Sequence, residues 1–255
     1  AAAAAAEGPG GDVAAGEVVA AVAPPRALDV LAAAWAATRE HGAAGSSTAC
    51  IATLDHELNQ LTYANLGDCG LVVLRHIDSD VAGYMRDRQR PRHARQHDLR
   101  VVYQAQQQLR SFNLPYQLGF DPEDDDDGNE ARFERPADAD VAAIPVLPGD
   151  IVVLATDGLF DNVELDEVVD IALEWERDSF AGGAKMLRDE AEGGAGKMAD
   201  LAARLSRRAR ELSLDNSIDS PFAQLAKDND ILWSGGMPDD CTVVALRVFS
   251  RAPAA

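Results

Sequence analysis

The sequence predicts an α+β protein in which strands come first, helices occupy the middle and one strand closes the chain. Three β-rich runs follow one another at 48–55, 61–66 and 71–76. Helical patterns dominate from residue 158 to about 213, and a last apolar run covers 242–249. Because strands and helices are grouped rather than alternating, this order favours layers of sheet and helix over repeated βαβ units.

Length and composition exclude several classes of protein. The 255 residues suit one large domain or two small ones. No apolar run approaches the roughly 20 residues of a membrane-spanning helix, so we expect no membrane segment. The formal net charge of −20 disfavours binding to nucleic acid and to anionic membranes. Three cysteines without zinc-site spacing or a disulfide framework indicate a reducing, intracellular compartment.

The first 24 residues are rich in Ala and Gly and are predicted to be poorly ordered, so the domain is expected to span 25–250. The chain opens on six alanines, with neither an initiating methionine nor a signal-peptide pattern, and we interpret it as a fragment. From Pro25, apolar residues recur at helical spacing and Gly42 supplies a stop signal. These features predict one helix before the first strand.

Short polar stretches, DHELNQ and GDCG, separate the three β-rich runs. Strands joined in this way are typical of an antiparallel meander, in which each strand pairs with the next. Two loop insertions are predicted after them, a basic one near 78–100 and an acidic one near 121–135. The basic insertion could steer phosphorylated substrates, although a solvated surface loop is the simpler interpretation.

The acidic insertion nearly matches a calcium-binding EF-hand loop. Residues 123–128 end in Gly128 at position 6 of that loop, and Glu134 stands at position 12. Against this alternative, Glu occupies position 1, Glu130 replaces an apolar residue, and Pro122 precedes the run without an amphipathic helix. A disordered acidic loop over 121–134 is the default interpretation, and calcium binding is left to experiment.

The second half of the chain combines a buried strand with helices. An apolar strand at 151–155 runs directly into Thr156-Asp157-Gly158. Two helices are predicted before about residue 213, and one face of the second contains Met198, Leu201, Ala202, Leu205, Ala209 and Leu212. Ser220-Pro221 opens a short helix, because proline is tolerated in a first helical turn.

Three acidic sites share one design, in which an aspartate abuts an apolar strand at a turn: Asp68, Asp157, and Asp239 with Asp240. Carboxylates gathered at one sheet edge raise one another's pKa unless a cation neutralises them. Oxygen ligands of this kind select Mg²⁺ or Mn²⁺ rather than zinc or copper. For a single Asp-Gly pair an ordinary turn is the simpler interpretation, and three such sites weaken that interpretation without removing it.

Six sequence blocks, in this order, resemble the type 2C (PPM) family of metal-dependent protein phosphatases. They are GSSTACIATLD (45–55), LTYANLGDCGLVVLR (61–75), FNLPYQLG (112–119), GDIVVLATDGLFDNV (149–163), SPFAQLAKDN (220–229) and GGMPDDCTVVAL (235–246). The resemblance implies a sandwich of two antiparallel β-sheets flanked by helices, here without its N-terminal strands. FNLPYQLG and SPFAQLAKDN look like the mitochondrial and plastid branch.

The resemblance also implies the chemistry. Asp157, with Gly158 in the same metal-binding turn, resembles the aspartate that binds the first catalytic metal, and Asp239 resembles its partner ligand. Asp68 and Asp161 resemble carboxylates that hold a third, weaker metal in family members. The implied reaction is hydrolysis of phosphoserine and phosphothreonine in a phosphoprotein substrate, by water activated with two Mg²⁺ or Mn²⁺ ions, and we expect a monomer.

One departure from the family pattern matters. The family's first motif, Asp-Gly-Val-Gly-Gly after an acidic residue, has no counterpart, and Asp12 cannot replace it because no apolar strand precedes it. We therefore expect a truncated copy of an active enzyme with impaired binding of the second metal. A catalytically inactive domain that binds phosphoproteins is the alternative.

Other phosphatase chemistries fit the residues less well. A haloacid-dehalogenase-type enzyme needs an acid/base aspartate two residues after the nucleophile, where this chain has Leu159. Cys69 lacks the Cys-x₅-Arg context of cysteine-based phosphatases, and Ser46 and Ser47 are interpreted as structural. The stretch 42–47 lacks the lysine of a phosphate-binding loop.

Overall fold

The computed structural model describes residues 26–42, 44–77, 98–121, 133–179 and 194–249. Its helices are α1 (Ala27–His41), α2 (Asp157–Phe160), α3 (Leu165–Ser179), α4 (Gly194–Ser213) and α5 (Pro221–Asp228). Its strands are β1 (Gly45–Ser47), β2 (Ala49–Asp55), β3 (Gln60–Leu66), β4 (Gly70–Ile77), β5 (Asp98–Gln104), β6 (Leu109–Ser111), β7 (Leu114–Pro115), β8 (Leu118–Phe120), β9 (Asp140–Pro145), β10 (Ile151–Ala155) and β11 (Val243–Arg247).

Two main antiparallel sheets organise these strands. The larger has the strand order β11-β10-β4-β5, and the smaller has the order β2-β3-β9. Two short pairs, β1 with β8 and β6 with β7, lie outside them. All of these pairings are antiparallel, as grouped rather than alternating strands predict.

Alternation of side chains along the strands produces four layers. On β4, Leu71 and Val73 pack against Leu61 and Tyr63 of the smaller sheet. The intervening residues Val72 and Leu74 face helices α3 and α4, and α1 covers the outer face of the smaller sheet. The result is helix, sheet, sheet, helix, which confirms the predicted α+β sandwich.

The predicted meander is wrong in one respect, because β3 and β4 do not pair. β3 pairs with β2 and β9 in the smaller sheet, whereas β4 pairs with β5 and β10 in the larger one. Between β3 and β4 the chain crosses from one sheet to the other at residues 67–69. Gly67 has φ +106°, and a Cβ there would lie 2.5 Å from Thr48 Cγ2, so this crossing requires glycine. Asp68 lies in the crossing.

The predicted insertions are shorter than expected at their C-terminal ends. Residues 98–100 belong to strand β5, because Leu99 and Arg100 pair with β4. Residues 78–97 and 122–132 lie outside the described residues, as do residues 1–25. Glu134 lies in an isolated bridge with Leu118, and its carboxylate accepts a hydrogen bond of 2.8 Å from the Gln117 amide. The candidate calcium ligand at position 12 is therefore part of the fold.

The predicted helices are confirmed. α1 ends at Gly42 with φ 74°, and Ser220 caps α5 by accepting a hydrogen bond of 3.1 Å from the Ala223 amide. The predicted apolar face of α4 packs on the larger sheet through residues that are at most 8% exposed: Met198, Leu201, Leu205, Ala209 and Leu212. Across the described ranges, none of the helices combines the length and apolarity that crossing a membrane requires.

Candidate metal centre

The register of the larger sheet brings three acidic turns to one edge. Ala155, the last residue of β10, pairs with Gly70 at the start of β4 and with Val243 at the start of β11. Because the neighbouring strands are antiparallel, the residues after β10 meet the residues before β4 and β11. Asp157, Asp68 and Asp239 stand in those three turns, so the register brings the three turns to the same edge of the sheet.

The turn after β10 is helical, which places Asp161 beside Asp157. α2 covers Asp157–Phe160, and the Asp161 amide donates to the Asp157 carbonyl at 2.8 Å. Residues four apart lie on one side of a helix, so both carboxylates face the same region. The Gly158 amide donates to Asp157 Oδ1 at 2.8 Å and orients that carboxylate.

Close backbone packing joins this turn to the segment that carries Asp239. Thr156 Oγ1 donates to the Asp240 carbonyl at 3.1 Å, and the Thr242 amide donates back to Thr156 Oγ1 at 3.1 Å. A Cβ at Gly158 would lie 2.6 Å from the Asp240 carbonyl oxygen, so only glycine permits this approach. Sequence reasoning did not assign a role to Thr156, although its position in ATDG, directly before Asp157, could have indicated one.

Polar side chains also fix the crossing that carries Asp68. Asn65 Nδ2 donates to the Cys69 carbonyl at 3.0 Å, and Gln107 Nε2 donates to the Asp68 carbonyl at 2.9 Å. Asn65 is fully buried and Asp68 is 8% exposed. The ring of Phe160 occupies the space where a Cβ of Gly70 would be, which holds α2 against the start of β4. Sequence reasoning missed Asn65 and Gln107, which carry no motif.

The carboxylates share one electrostatic environment. Burial, followed by the charges of Asp157, Asp68 and Asp239, raises the pKa of Asp161 to about 7. Burial and the charges of Asp157 and Asp239 raise the pKa of Asp68 to about 6. Burial and the charge of Asp239 also raise the pKa of Asp157. The charges of Asp157 and Asp239 thus act on more than one neighbouring carboxylate at this edge of the sheet.

Known proteins resemble this chain over most of its length. No protein-family model matches it. The Drosophila melanogaster "Protein phosphatase PTC7 homolog fig" is 36% identical over 208 residues, which cover 81% of this chain and 54% of that protein. The Schizosaccharomyces pombe "5-azacytidine resistance protein azr1" is 31% identical over 229 residues, covering 89% and 64%. The X-ray structure of the photosystem II phosphatase PBCP is 26% identical with a TM-score of 0.58, covering 87% and 70%.

The chain belongs to the type 2C (PPM) family of protein phosphatases. It spans about half the length of the curated relatives it matches, 54% for the D. melanogaster protein. The sandwich described above is the type 2C phosphatase fold.

The type 2C family implies a divalent metal, and the donor chemistry of this edge fits one. Its side chains are carboxylates, the ligands that Mg²⁺ and Mn²⁺ prefer, and their raised pKa values reflect a charge that a cation would neutralise. The geometry is less complete. Among the residues that the structure describes, no three His, Cys, Asp or Glu side chains are arranged as a metal-ligand group.

The cysteine and serine side chains considered as nucleophiles lie in surroundings that indicate a structural role. The Cys69 Sγ lies 3.5 Å from Thr48 Oγ1, and burial is the main cause that raises the pKa of its thiol. Burial raises the pKa of Cys50 to about 12, so neither cysteine supplies a thiolate near neutral pH. Ser46 Oγ donates to Gln117 Oε1 at 2.5 Å. Leu159, which stands at the dehalogenase acid/base position, is fully buried in the core.

Proposed function

We propose that this chain is the metal-binding part of a protein phosphatase that hydrolyses phosphoserine and phosphothreonine with Mg²⁺ or Mn²⁺. The observation that supports it best is the register of the larger sheet, which brings the turns of Asp68, Asp157 and Asp239 to one edge, with Asp161 one helical turn after Asp157. Four acids held together without a cation cost free energy, so their convergence favours a binding role over a purely structural one.

In this proposal Asp157 and Asp239 hold the first cation, while Asp68 and Asp161 supply a further site. Bound divalent cations would acidify a water molecule for attack on phosphorus and neutralise phosphate charge. The chain's own part is positioning, because the Gly158 amide orients Asp157 and Thr156 ties the turn to Asp240. Because water would be the nucleophile, this reaction would need no covalent intermediate on the protein.

We also propose that carboxylates outside the described residues complete the ligand set. β11 forms an edge of the larger sheet, and its side chains Val244 and Leu246 are 49% and 41% exposed. An apolar edge strand of this kind suits pairing with a further strand. The first family motif, with its aspartate, would stand on such a strand. The alternative stays open that the domain binds phosphoproteins without turnover.

The test measures Mn²⁺ affinity by calorimetry and turnover of a phosphothreonine peptide in the same sample. Asp157→Asn and Asp239→Asn each remove ligand charge and keep side-chain size, so we expect Mn²⁺ affinity and turnover to fall at least tenfold with the fold retained. Asp170→Asn, at an exposed position on α3, is the matched control. Mn²⁺ binding that is unchanged in both site variants would refute the assignment.

A second comparison separates an impaired enzyme from a phosphoprotein-binding domain. The chain of residues 1–255 and a form of it that carries the first family motif on an added N-terminal segment are assayed with Mn²⁺ under identical conditions. We expect turnover to rise at least tenfold when that segment supplies the motif. A longer chain that binds Mn²⁺ tightly without turnover favours the binding-domain alternative.

We propose a mitochondrial or plastid location for the full-length protein. The blocks FNLPYQLG and SPFAQLAKDN support it, since they resemble that branch of the family. Fluorescence microscopy of the full-length protein with a C-terminal tag would test it, and a diffuse cytosolic signal would contradict it.

A further inference from the structure

A short loop beside the candidate metal centre exposes large apolar side chains. Residues 229–236, which we name the docking loop, connect α5 to the segment that carries Asp239. Leu232 is 102% exposed, Trp233 39% and Ile231 38%. Three neighbouring apolar side chains that remain in water cost free energy, which burial against another molecule would recover.

The docking loop is held firmly at both ends. At its start, the Ile231 amide donates to the Ala226 carbonyl at 2.9 Å, and Asn229 Nδ2 donates to the Leu225 carbonyl at 2.8 Å. At its end, Ser220 Oγ donates to the Gly235 carbonyl at 2.7 Å. The apolar side chains are therefore presented on a fixed scaffold, which lowers the entropy cost of binding.

Aromatic contacts connect the docking loop to the metal centre. The ring of Trp233 packs edge-on against Phe222, with centroids 5.3 Å apart, and the Phe222 amide donates to the Asp161 carbonyl at 3.0 Å. On the other side, Phe112 packs against Phe222 at 5.2 Å, and Leu114 of the same hairpin is 52% exposed. The apolar surface thus begins next to a candidate ligand residue.

The charge around the docking loop is strongly negative. The segment 214–240 contains six aspartates, and its single basic residue is Lys227. The Lys227 ammonium already pairs with Asp219 at 2.5 Å. Asp228 and Asp230 directly precede the apolar residues and are exposed. A partner that covers Leu232 with an apolar side chain would bind more tightly if basic residues stood beside that side chain.

We propose that the docking loop binds the substrate segment adjacent to the phosphorylated residue, and that this segment combines an apolar side chain with Lys or Arg. The inference rests on the proposed function, since it assigns a sequence preference to the substrate of that site. The acidic rim selects basic flanks, and Leu232 with Trp233 receives the apolar side chain. The phosphate itself goes to the neighbouring carboxylate centre with its cations.

The test uses two labelled peptides that carry a non-hydrolysable phosphonate analogue of phosphothreonine, in the presence of Mn²⁺, so that binding is measured by fluorescence anisotropy with the cations in place and without turnover. The first peptide has Leu and two Arg beside the analogue, and the second has Ser and two Glu there. We expect the first to bind at least tenfold more tightly. Leu232→Ser should weaken binding of the first peptide five- to tenfold and leave the second unchanged, as loss of one apolar contact predicts.

Leu58→Ser is the matched control, because Leu58 is 70% exposed in the turn between β2 and β3 at the other end of the smaller sheet. Asp228→Lys should also weaken binding of the first peptide, which tests whether acidic residues beside the docking loop select basic residues in the substrate. Equal binding of the two peptides, or equal effects of Leu232→Ser and Leu58→Ser, would overturn it. Hydrolysis of p-nitrophenyl phosphate with Mn²⁺, which needs no docking loop, reports separately on the proposed function.

Discussion

Two hydrogen bonds of 2.8 Å join the side chain of Asn162 to the backbone of Met237. The Met237 amide donates to Asn162 Oδ1, and Asn162 Nδ2 donates to the Met237 carbonyl. Nδ2 also donates to the Gly158 carbonyl at 3.0 Å. Asn162 follows Asp161, and Met237 stands two residues before Asp239. The buried side-chain amide of Asn162 therefore ties the segment that carries Asp161 to the segment that carries Asp239.

We expect Asn162→Leu to destabilise the fold and release the Asp239 segment. The substitution removes the hydrogen bonds of the half-buried Met237 amide and of the Met237 and Gly158 carbonyl groups, which costs roughly 2–4 kcal/mol of unfolding free energy. Urea denaturation measures that loss, and hydrogen exchange at the Met237 amide reports the local opening. Asn216→Ala, at an exposed position, should cost under about 0.5 kcal/mol. A variant as stable as the parent, with a protected Met237 amide, would contradict the role of Asn162.

Local patterns predicted the parts of the centre that depend on strand ends. Asp157 follows a fully apolar strand, and Asp239 precedes another, so their turns could be located without coordinates. Antiparallel pairing of β10 and β11 then places those turns at one edge, as the register shows. The helical spacing of Asp157 and Asp161 was likewise readable, because periodicity is a local property.

The remaining features depend on contacts between distant residues, which no local pattern encodes. β3 and β4 looked like consecutive partners, yet the chain changes sheets between them, and Leu71 and Val73 of β4 pack across the interior against the smaller sheet. Asn162 and Met237 are 75 residues apart in sequence. Because Asn is a common turn residue, the sequence did not indicate that Asn162 is buried and hydrogen-bonded to a distant segment.

We expect Gly158→Ala to disturb the metal centre through the backbone of Asp240. The added methyl group would lie 2.6 Å from the Asp240 carbonyl oxygen, and backbone cannot move as cheaply as a flexible side chain. The unfolding free energy should fall by about 1–3 kcal/mol, and Mn²⁺ affinity should fall with it. Thermal denaturation and calorimetry measure these two quantities.

Gly196→Ala is the matched control for that substitution. Gly196 lies in α4, where a Cβ meets nothing within 4 Å. Alanine there should raise the unfolding free energy by about 0.5–1 kcal/mol, because glycine is unfavourable inside a helix. A Gly158→Ala variant with the stability of the parent would show that the Asp240 segment can shift freely.

The raised pKa of Asp161, about 7 against 3.8 for a free aspartate, predicts how metal-free stability depends on pH. The folded chain holds this proton more tightly than the unfolded chain. The contribution of Asp161 to the unfolding free energy therefore falls as pH rises from about 4 to about 7 and then levels off. Asp161→Asn removes the ionisation, so it should stabilise the metal-free chain at pH 8 by on the order of 1–2 kcal/mol, with little effect at pH 4.

Chemical denaturation in EDTA at both pH values measures this difference. Asp170→Asn, at an exposed position on α3, should leave the pH dependence as it is in the parent. A stabilisation by Asp161→Asn that is equal at pH 4 and pH 8 would show that ionisation is not its cause.

The contacts of Glu134 predict a structural role instead of calcium binding. One oxygen accepts from the Gln117 amide at 2.8 Å, the other pairs with Arg110, and the residue is only 9% exposed. Glu134→Gln should therefore lower the unfolding free energy by about 1 kcal/mol, because it removes the negative charge that pairs with the half-exposed Arg110. Glu57→Gln, at an exposed position, should leave the unfolding free energy unchanged. Thermal melts with and without micromolar Ca²⁺ decide between the roles, since a stabilisation of the parent by Ca²⁺ that Glu134→Gln abolishes would restore the calcium site.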